Sequence, residues 1–282
     1  MRVLLTGGAG QVGVAIQKLL ADHQGEFLST DKINMDITKQ KEVDRVMDAY
    51  NPDLVLHCAA YTNVEQAEQE ETLCRRINVL GTKNVAISAY RKKAKLVYLS
   101  TDYVFDGRKE TPYDTTDFPH PINVYGQSKY EGELVVQDLL KEHFIVRTSW
   151  LFGGYGRDFV KTMLSVGNSQ EEVKVVCDQW GSPTYIPDLA RWLLALMQTE
   201  QYGIHHVTNE GYCSWYEFAS EIARRKKLKA RFIPVASEEF SMKAKRPRNS
   251  RLVKTSLSLP GLTRLSTWEE ALADYLLTIR RE

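Results

Sequence analysis

Tyr125 and Lys129 stand four residues apart in Tyr125-Gly126-Gln127-Ser128-Lys129. On a helix that spacing puts both side chains on one face, one turn apart. A phenol and an ammonium so placed suit the reduction of a ketone. The phenol gives a proton to the carbonyl oxygen as hydride reaches the carbon. A free tyrosine titrates near pH ~10, so a neighbouring cation must make its anion accessible. Lys129 can supply that charge and can also bond the ribose beside a nicotinamide. Thr101, in Ser100-Thr101-Asp102, can hold the substrate oxygen by a hydrogen bond. A Tyr-x-x-x-Lys pair alone equally describes a solvated helix face, so its weight depends on what else the chain carries.

What else it carries is a glycine loop. Thr6-Gly7-Gly8-Ala9-Gly10-Gln11-Val12-Gly13 follows a short apolar run and opens a helical pattern. Gly7, Gly10 and Gly13 fall at the spacing that a dinucleotide needs. One glycine makes the tight turn, one lets backbone approach the pyrophosphate, and one allows close helix–strand packing. The N–H groups of Gln11 and Val12 then open a helix whose positive end faces the phosphates. The next apolar run ends at Thr30-Asp31-Lys32. An acid there bonds the adenosine ribose hydroxyls, and a cation there accepts a 2′-phosphate. Asp31 argues for NADH and Lys32 for NADPH, so the sequence leaves both open. Asp36 and Ile37 are placed for the adenine, and Ala59, Ala60 and Tyr61 for the middle of the cofactor.

The elements that must position these residues alternate. Apolar runs at 2–5, 27–30, 54–58, 95–100 and 144–148 read as strands. Their apolarity is continuous, which suits strands buried on both faces of a parallel sheet. Helical patterns lie between them at 11–21, 39–50, within 64–93, and at 124–141. The expected fold is α/β, a Rossmann-like doubly wound parallel sheet. Further helices are expected at 159–166, 187–198 and 214–226, the last with a Ser214/Glu217 capping box. Short strands are expected at 173–177 and 204–207. The division is 1–150 for the dinucleotide-binding domain and 151–282 for a smaller substrate lobe, with crossovers between them.

Composition narrows the partners. Lys plus Arg number 37 against 36 Asp plus Glu, a net charge of +1, which gives no global attraction to nucleic acid or a membrane surface. No run of about 18 apolar residues suggests a membrane span. The apolar stretch after Met1 is too short for a secretory signal, so a cytoplasmic location is expected. The four cysteines are far apart and form no metal-ligand spacing, so no metal site is expected from them.

Together the glycine loop, Asn78-Val79-Leu80-Gly81-Thr82 and Tyr125-x-x-x-Lys129 resemble the extended short-chain dehydrogenases/reductases. Longer stretches resemble the dTDP-4-dehydrorhamnose reductases within that superfamily. They include Ala59-Ala60-Tyr61-Thr62-Asn63-Val64, Ser100-Thr101-Asp102-Tyr103-Val104-Phe105, and Arg147-Thr148-Ser149-Trp150. In the second half they are Asp178-Gln179-Trp180-Gly181-Ser182-Pro183-Thr184-Tyr185, Asn209-Glu210-Gly211-Tyr212-Cys213-Ser214-Trp215-Tyr216-Glu217-Phe218, and Arg246-Pro247-Arg248-Asn249-Ser250-Arg251-Leu252.

The resemblance implies NADPH- or NADH-dependent reduction of a 4-keto sugar on a nucleotide. Tyr125 would be the proton donor, Lys129 its modulator and ribose anchor, and Thr101 the family's Ser/Thr. Asn78 would hold a water near the lysine. Thr101, Asp102, Val104 and Trp150 would line the sugar, and Arg248 would meet the diphosphate as a charge-assisted contact. The resemblance also brings a Mg²⁺ site on surface acids at a subunit contact, which maps onto no residues here. A monomer and a homodimer both remain open. Two other readings share these motifs. One is a nucleotide-sugar epimerase of the same superfamily. The other is a non-catalytic dinucleotide-binding subunit, like the regulatory subunit of methionine adenosyltransferase.

Overall fold

The computed structural model describes residues 1–21, 26–240, 242–254 and 262–279. Five strands come from the first half: β1 (Val3–Thr6), β2 (Phe27–Thr30), β3 (Leu54–His57), β4 (Lys95–Thr101) and β5 (His143–Thr148). They pair in parallel, and a sixth strand, Gly203–His206, adds alongside β5. The order is β2-β1-β3-β4-β5-sixth. The direction of winding reverses between β1 and β3, and a crevice opens at the strand ends there. β1 and β3 are buried along their whole length, which is why they read as unbroken apolar runs.

Helices cover both faces. On one face α1 (Gln11–Ala21) packs with α8 (Ile186–Leu196) over Leu5, Leu56 and Val146. On the other lie α2 (Gln40–Tyr50), α5 (Thr82–Lys92) and α6 (Val124–Leu139), with Met47, Val85 and Val136 against Leu4 and Leu96. The second half thus returns a helix and a strand to the cofactor sheet.

The helical stretch expected within 64–93 is divided. α3 (Val64–Ala67) and α4 (Glu71–Arg75) precede a π-helical turn, Arg76–Gly81, which runs into α5. The turn carries Asn78 inward, and Gly81 leaves room for Ile37, whose Cδ1 would lie 2.7 Å from a Cβ there.

The smaller lobe has its own core. α7 (Phe159–Ser169), α9 (Trp215–Lys226) and α10 (Trp268–Thr278) enclose Phe152, Phe218 and Leu272 beside the parallel pair 172–176 and 231–235. The capping box at Ser214 and Glu217 is present. α10 was not expected, although Thr267 and Glu270 form a second capping box at its start.

Candidate active site

At the end of β1 the chain turns through Gly7, at φ +71°, and a Cβ there would stand 2.6 Å from the Ala59 nitrogen. A Cβ on Gly13 would stand 2.3 Å from the Gly7 carbonyl oxygen, so only glycine lets α1 begin this close to the sheet. At Gly10 the nearest heavy atom to a Cβ is that same oxygen at 3.2 Å, and the backbone otherwise faces open space. The space is a cavity of about 480 Å³. Gly7, Gly10, Gln11, Val12 and Gly13 line it at one end, Asp31, Lys32, Asp36 and Ile37 at the other, and Ala59 and Ala60 between. These residues fit a dinucleotide: a backbone cradle at a helix start, an acid and a cation beyond it. Asp31 also shapes its own turn, since its Oδ1 accepts the Ile33 N–H at 2.8 Å. Burial would raise the Asp36 carboxyl, but the Thr38 N–H and hydroxyl outweigh it and hold it low.

Tyr61 and Asn78 do not line this cavity. The Tyr61 N–H donates to Asn78 Oδ1 at 2.7 Å, and its hydroxyl donates to Glu70 at 2.8 Å. Asn78 Nδ2 donates to the Tyr61 carbonyl at 3.1 Å and to Ser128 Oγ at 2.9 Å. Asn78 is fully buried and clamps the loop after β3 onto α6. Thr62, Arg76 and Ile77 do line the cavity and were missed. The π-helical turn brings Arg76 there, and no residue spacing announces such a turn.

A second cavity of about 300 Å³ adjoins the first. Thr101, Asp102, Tyr125, Lys129 and Trp150 line it, and Cys58, Ala60, Thr62, Leu99 and Leu151 line both. Asn123 caps α6, its Oδ1 accepting the Gly126 N–H at 2.7 Å, and so starts the helix that presents Tyr125 and Lys129. Gly126 lets that helix touch the chain after β4, where a Cβ would stand 2.1 Å from the Tyr103 carbonyl oxygen.

Lys129 is 2% exposed, and its Nζ lies 4.0 Å from the centre of the Tyr98 ring. Burial draws its ammonium down to about 7, with Glu133 opposing. Burial also pushes the Tyr125 phenol upward, with the Thr101 hydroxyl opposing. Thr101 Oγ1 donates to Asp102 Oδ1 at 3.0 Å, while Asp102 Oδ2 has no protein hydrogen-bond partner among the described residues.

Trp150 adopts φ 47°, a region costly for a bulky residue. Among the described residues the other three non-glycine positions with positive φ are helix C-caps; Trp150 is not. Its ring stacks on Trp215 at 3.6 Å, and Gly181 makes room, since a Cβ there would stand 2.5 Å from the indole. Strain held by packing in this way marks functional positions. Trp215 and Ser149 line the cavity and were missed as site residues, although both lie in stretches that carry the resemblance.

Val104 and Arg248 line neither cavity. Val104 is fully buried, packed with Phe105, Tyr113 and Leu252. Arg248 is exposed and pairs with Glu238 at 2.6 Å.

The family profile described as RmlD substrate binding domain matches residues 1–281. A dTDP-4-dehydrorhamnose reductase of Aggregatibacter actinomycetemcomitans is 39% identical, over 96% of this chain and 97% of its own length. The spore coat polysaccharide biosynthesis protein SpsK of Bacillus subtilis (strain 168) is also 39% identical, over 98% of this chain and 96% of its own. Among solved structures, the dTDP-4-dehydrorhamnose reductase of Bacillus anthracis str. Ames in complex with NADP is 45% identical. It superposes with a TM-score of 0.95, covering 98% of this chain and 99% of that one. No helix among the described residues is long and apolar enough to cross a membrane.

Proposed function

The chain belongs to the RmlD substrate binding domain family, and we propose that it reduces the 4-keto group of dTDP-4-dehydro-β-L-rhamnose to dTDP-β-L-rhamnose with NADPH or NADH. The observation that carries this reading is the shared wall of the two cavities. Leu99, Cys58 and Leu151 border both the glycine crevice and the pocket that holds Thr101, Tyr125 and Lys129. A cofactor in one and a sugar in the other meet there. On this reading residues 1–150 supply most of the cofactor site and 151–282 most of the substrate lobe.

When bound, the nicotinamide supplies a hydride to the carbonyl carbon. Tyr125 gives its phenolic proton to the carbonyl oxygen, which Thr101 Oγ1 holds by turning its proton from Asp102 Oδ1 toward it. The Lys129 ammonium stabilises the phenolate left behind. Asp102 Oδ2, otherwise unpartnered, accepts from a sugar hydroxyl, and the Trp150 face packs against the deoxy edge of the ring. The backbone N–H groups of Gln11 and Val12, at the start of α1, would hold the cofactor's phosphates.

The test is oxidation of NADPH and NADH, run in parallel, on addition of the keto sugar, with and without EDTA. One reduced cofactor consumed per sugar reduced supports the reading. Isomerised sugar without net consumption points to an epimerase. No turnover, together with a stable protein partner, points to a regulatory subunit. In the same assay Tyr125→Phe should remove most turnover, roughly 10²-fold or more, while cofactor binding stays largely intact. Near-native turnover would remove Tyr125 from the mechanism.

A further inference from the structure

One turn beyond Lys129, α6 carries Glu133. Tyr125, Lys129 and Glu133 therefore follow one another at four-residue spacing on a single helix face. Glu133 is 0% exposed, yet it is held as an ion pair. Its Oε2 meets Arg147 Nη2 at 2.6 Å, and its Oε1 accepts from Ser100 Oγ at 2.5 Å and Arg147 Nε at 3.0 Å. Arg147 is 1% exposed, lies 5.1 Å from the Phe105 ring centre, and reaches His206 Nε2 at 3.5 Å. Register places Ser100 of β4 opposite Arg147 of β5, directly before Thr101 and Thr148.

Burying two charges costs several kcal/mol each, and an apolar pair of similar volume often serves stability as well or better. The position of this pair, under the catalytic strand end and one turn from Lys129, calls for a reason beyond stability.

We propose that Glu133, pinned by Arg147 and Ser100, is a positioning residue whose negative charge keeps Lys129 an ammonium facing Tyr125, and that Arg147 on its far side limits that field. This rests on the reductase reading above.

The surroundings of Lys129 support it. From β3, His57 is neutral, because burial draws it to about 3, and Cys58 is a neutral thiol, because burial pushes it to about 12. Cys74 of α4 is likewise raised by burial, and Tyr98 of β4 is raised well above the ordinary phenol range. Tyr125 on the same helix is neutral for the same reason. Asp102 follows β4 and is not among the principal influences on Lys129. After burial, which lowers the Lys129 ammonium, Glu133 is the largest influence, and it raises it. Behind Glu133, His206 of the sixth strand is neutral, drawn to about 3 by burial, so Arg147 is the cation there.

The experiment is the pH profile of kcat/KM for the keto sugar with NADPH. Loss of the Lys129 proton forms the basic limb. Glu133→Gln should move that limb to lower pH, and Arg147→Gln should move it to higher pH, each by on the order of 1 unit. A purely structural pair predicts lower plateaus with the limb in place, or both limbs moving the same way; either result overturns the proposal. Each single variant leaves a buried polar partner and can fail to fold. The double variant Glu133→Gln/Arg147→Gln leaves no unpaired charge, and its limb should lie below the wild-type one. Coincidence with wild type would sink the proposal. Absence of turnover in the wild-type protein would instead strike at the reductase reading.

Discussion

Asp102 lines the second cavity, and its Oδ2 has no well-formed hydrogen bond among the described residues, although the Ser250 hydroxyl lies near enough to favour the charged carboxylate. Burial raises its pKa from 3.8 to about 7. A carboxyl whose folded pKa is raised adds stability that is complete below the unfolded value and is lost as pH rises through the folded one. Asp102 should therefore cost stability progressively between about pH 4 and pH 7. Asp102→Asn should relieve that cost, by on the order of 4 kcal/mol at pH 8 and far less at pH 5. Urea midpoints at the two pH values check it, and an equal gain at both would show that burial is not the cause. At this scale the meeting of Thr101, Tyr125 and Lys129 in one cavity was legible because these residues lie in short local spacings. Trp215 and Arg76 were not, because the first reaches the site by packing between distant segments and the second by the π-helical turn; Thr62 sits in the loop of Ala60 with no spacing of its own to mark it.

The elements convert those residues into a geometry, and α6 shows how narrow the tolerance is. Its N-cap Asn123 is fixed on both sides, since Nδ2 also donates to the Lys245 carbonyl at 2.9 Å. Next to Tyr125, Gly126 touches the Tyr103 carbonyl, a backbone group that cannot swing aside. Gly126→Ala should push α6 away from the Thr101 turn at a cost of about 1–3 kcal/mol. Turnover should fall by up to ~10²-fold through displacement of Tyr125, with cofactor affinity little changed. Unaltered kcat in a folded variant would mean that the contact does not set the catalytic distance.

The five strands of the first half and α1 were readable because burial on both faces leaves continuous apolar runs and a glycine loop marks a helix start. The division of the 64–93 helix was not, because the π-helical turn follows from the clamp between Asn78, Tyr61 and Ser128, which only tertiary structure creates. α10 is different, since its capping box and its apolar positions Trp268, Ala271, Leu272, Tyr275 and Leu276 are local features of the sequence.

Across the whole molecule the segment 242–254 ties the two halves together beside the sugar cavity. Arg246 pairs with Glu65 at 3.0 Å, the Trp180 N–H donates to the Arg248 carbonyl at 2.8 Å, and the Val253 N–H donates to the Tyr113 carbonyl at 2.7 Å. The backbone around Arg248 is thus anchored while its guanidinium stays 69% exposed and, among the described residues, is held only by Glu238, itself 67% exposed. Exposed pairs of this kind contribute little, about 0–1 kcal/mol, so a diphosphate can displace the carboxylate at small cost. A diphosphate offers more charge than Glu238 and a fork-shaped fit to arginine. A chain of net charge +1 needs only such local cations to hold an anionic substrate, because on the proposed reading the cofactor's phosphates would meet backbone N–H groups that add no formal charge. Arg248→Ala should accordingly raise the KM for the nucleotide sugar by roughly 10-fold, the loss of one charge-assisted contact. Cofactor affinity, set some distance away at the glycine loop, should change by less than about twofold, because sites without shared contacts act independently. Titration of each ligand separately decides it, and equal weakening of both would remove Arg248 from the diphosphate site.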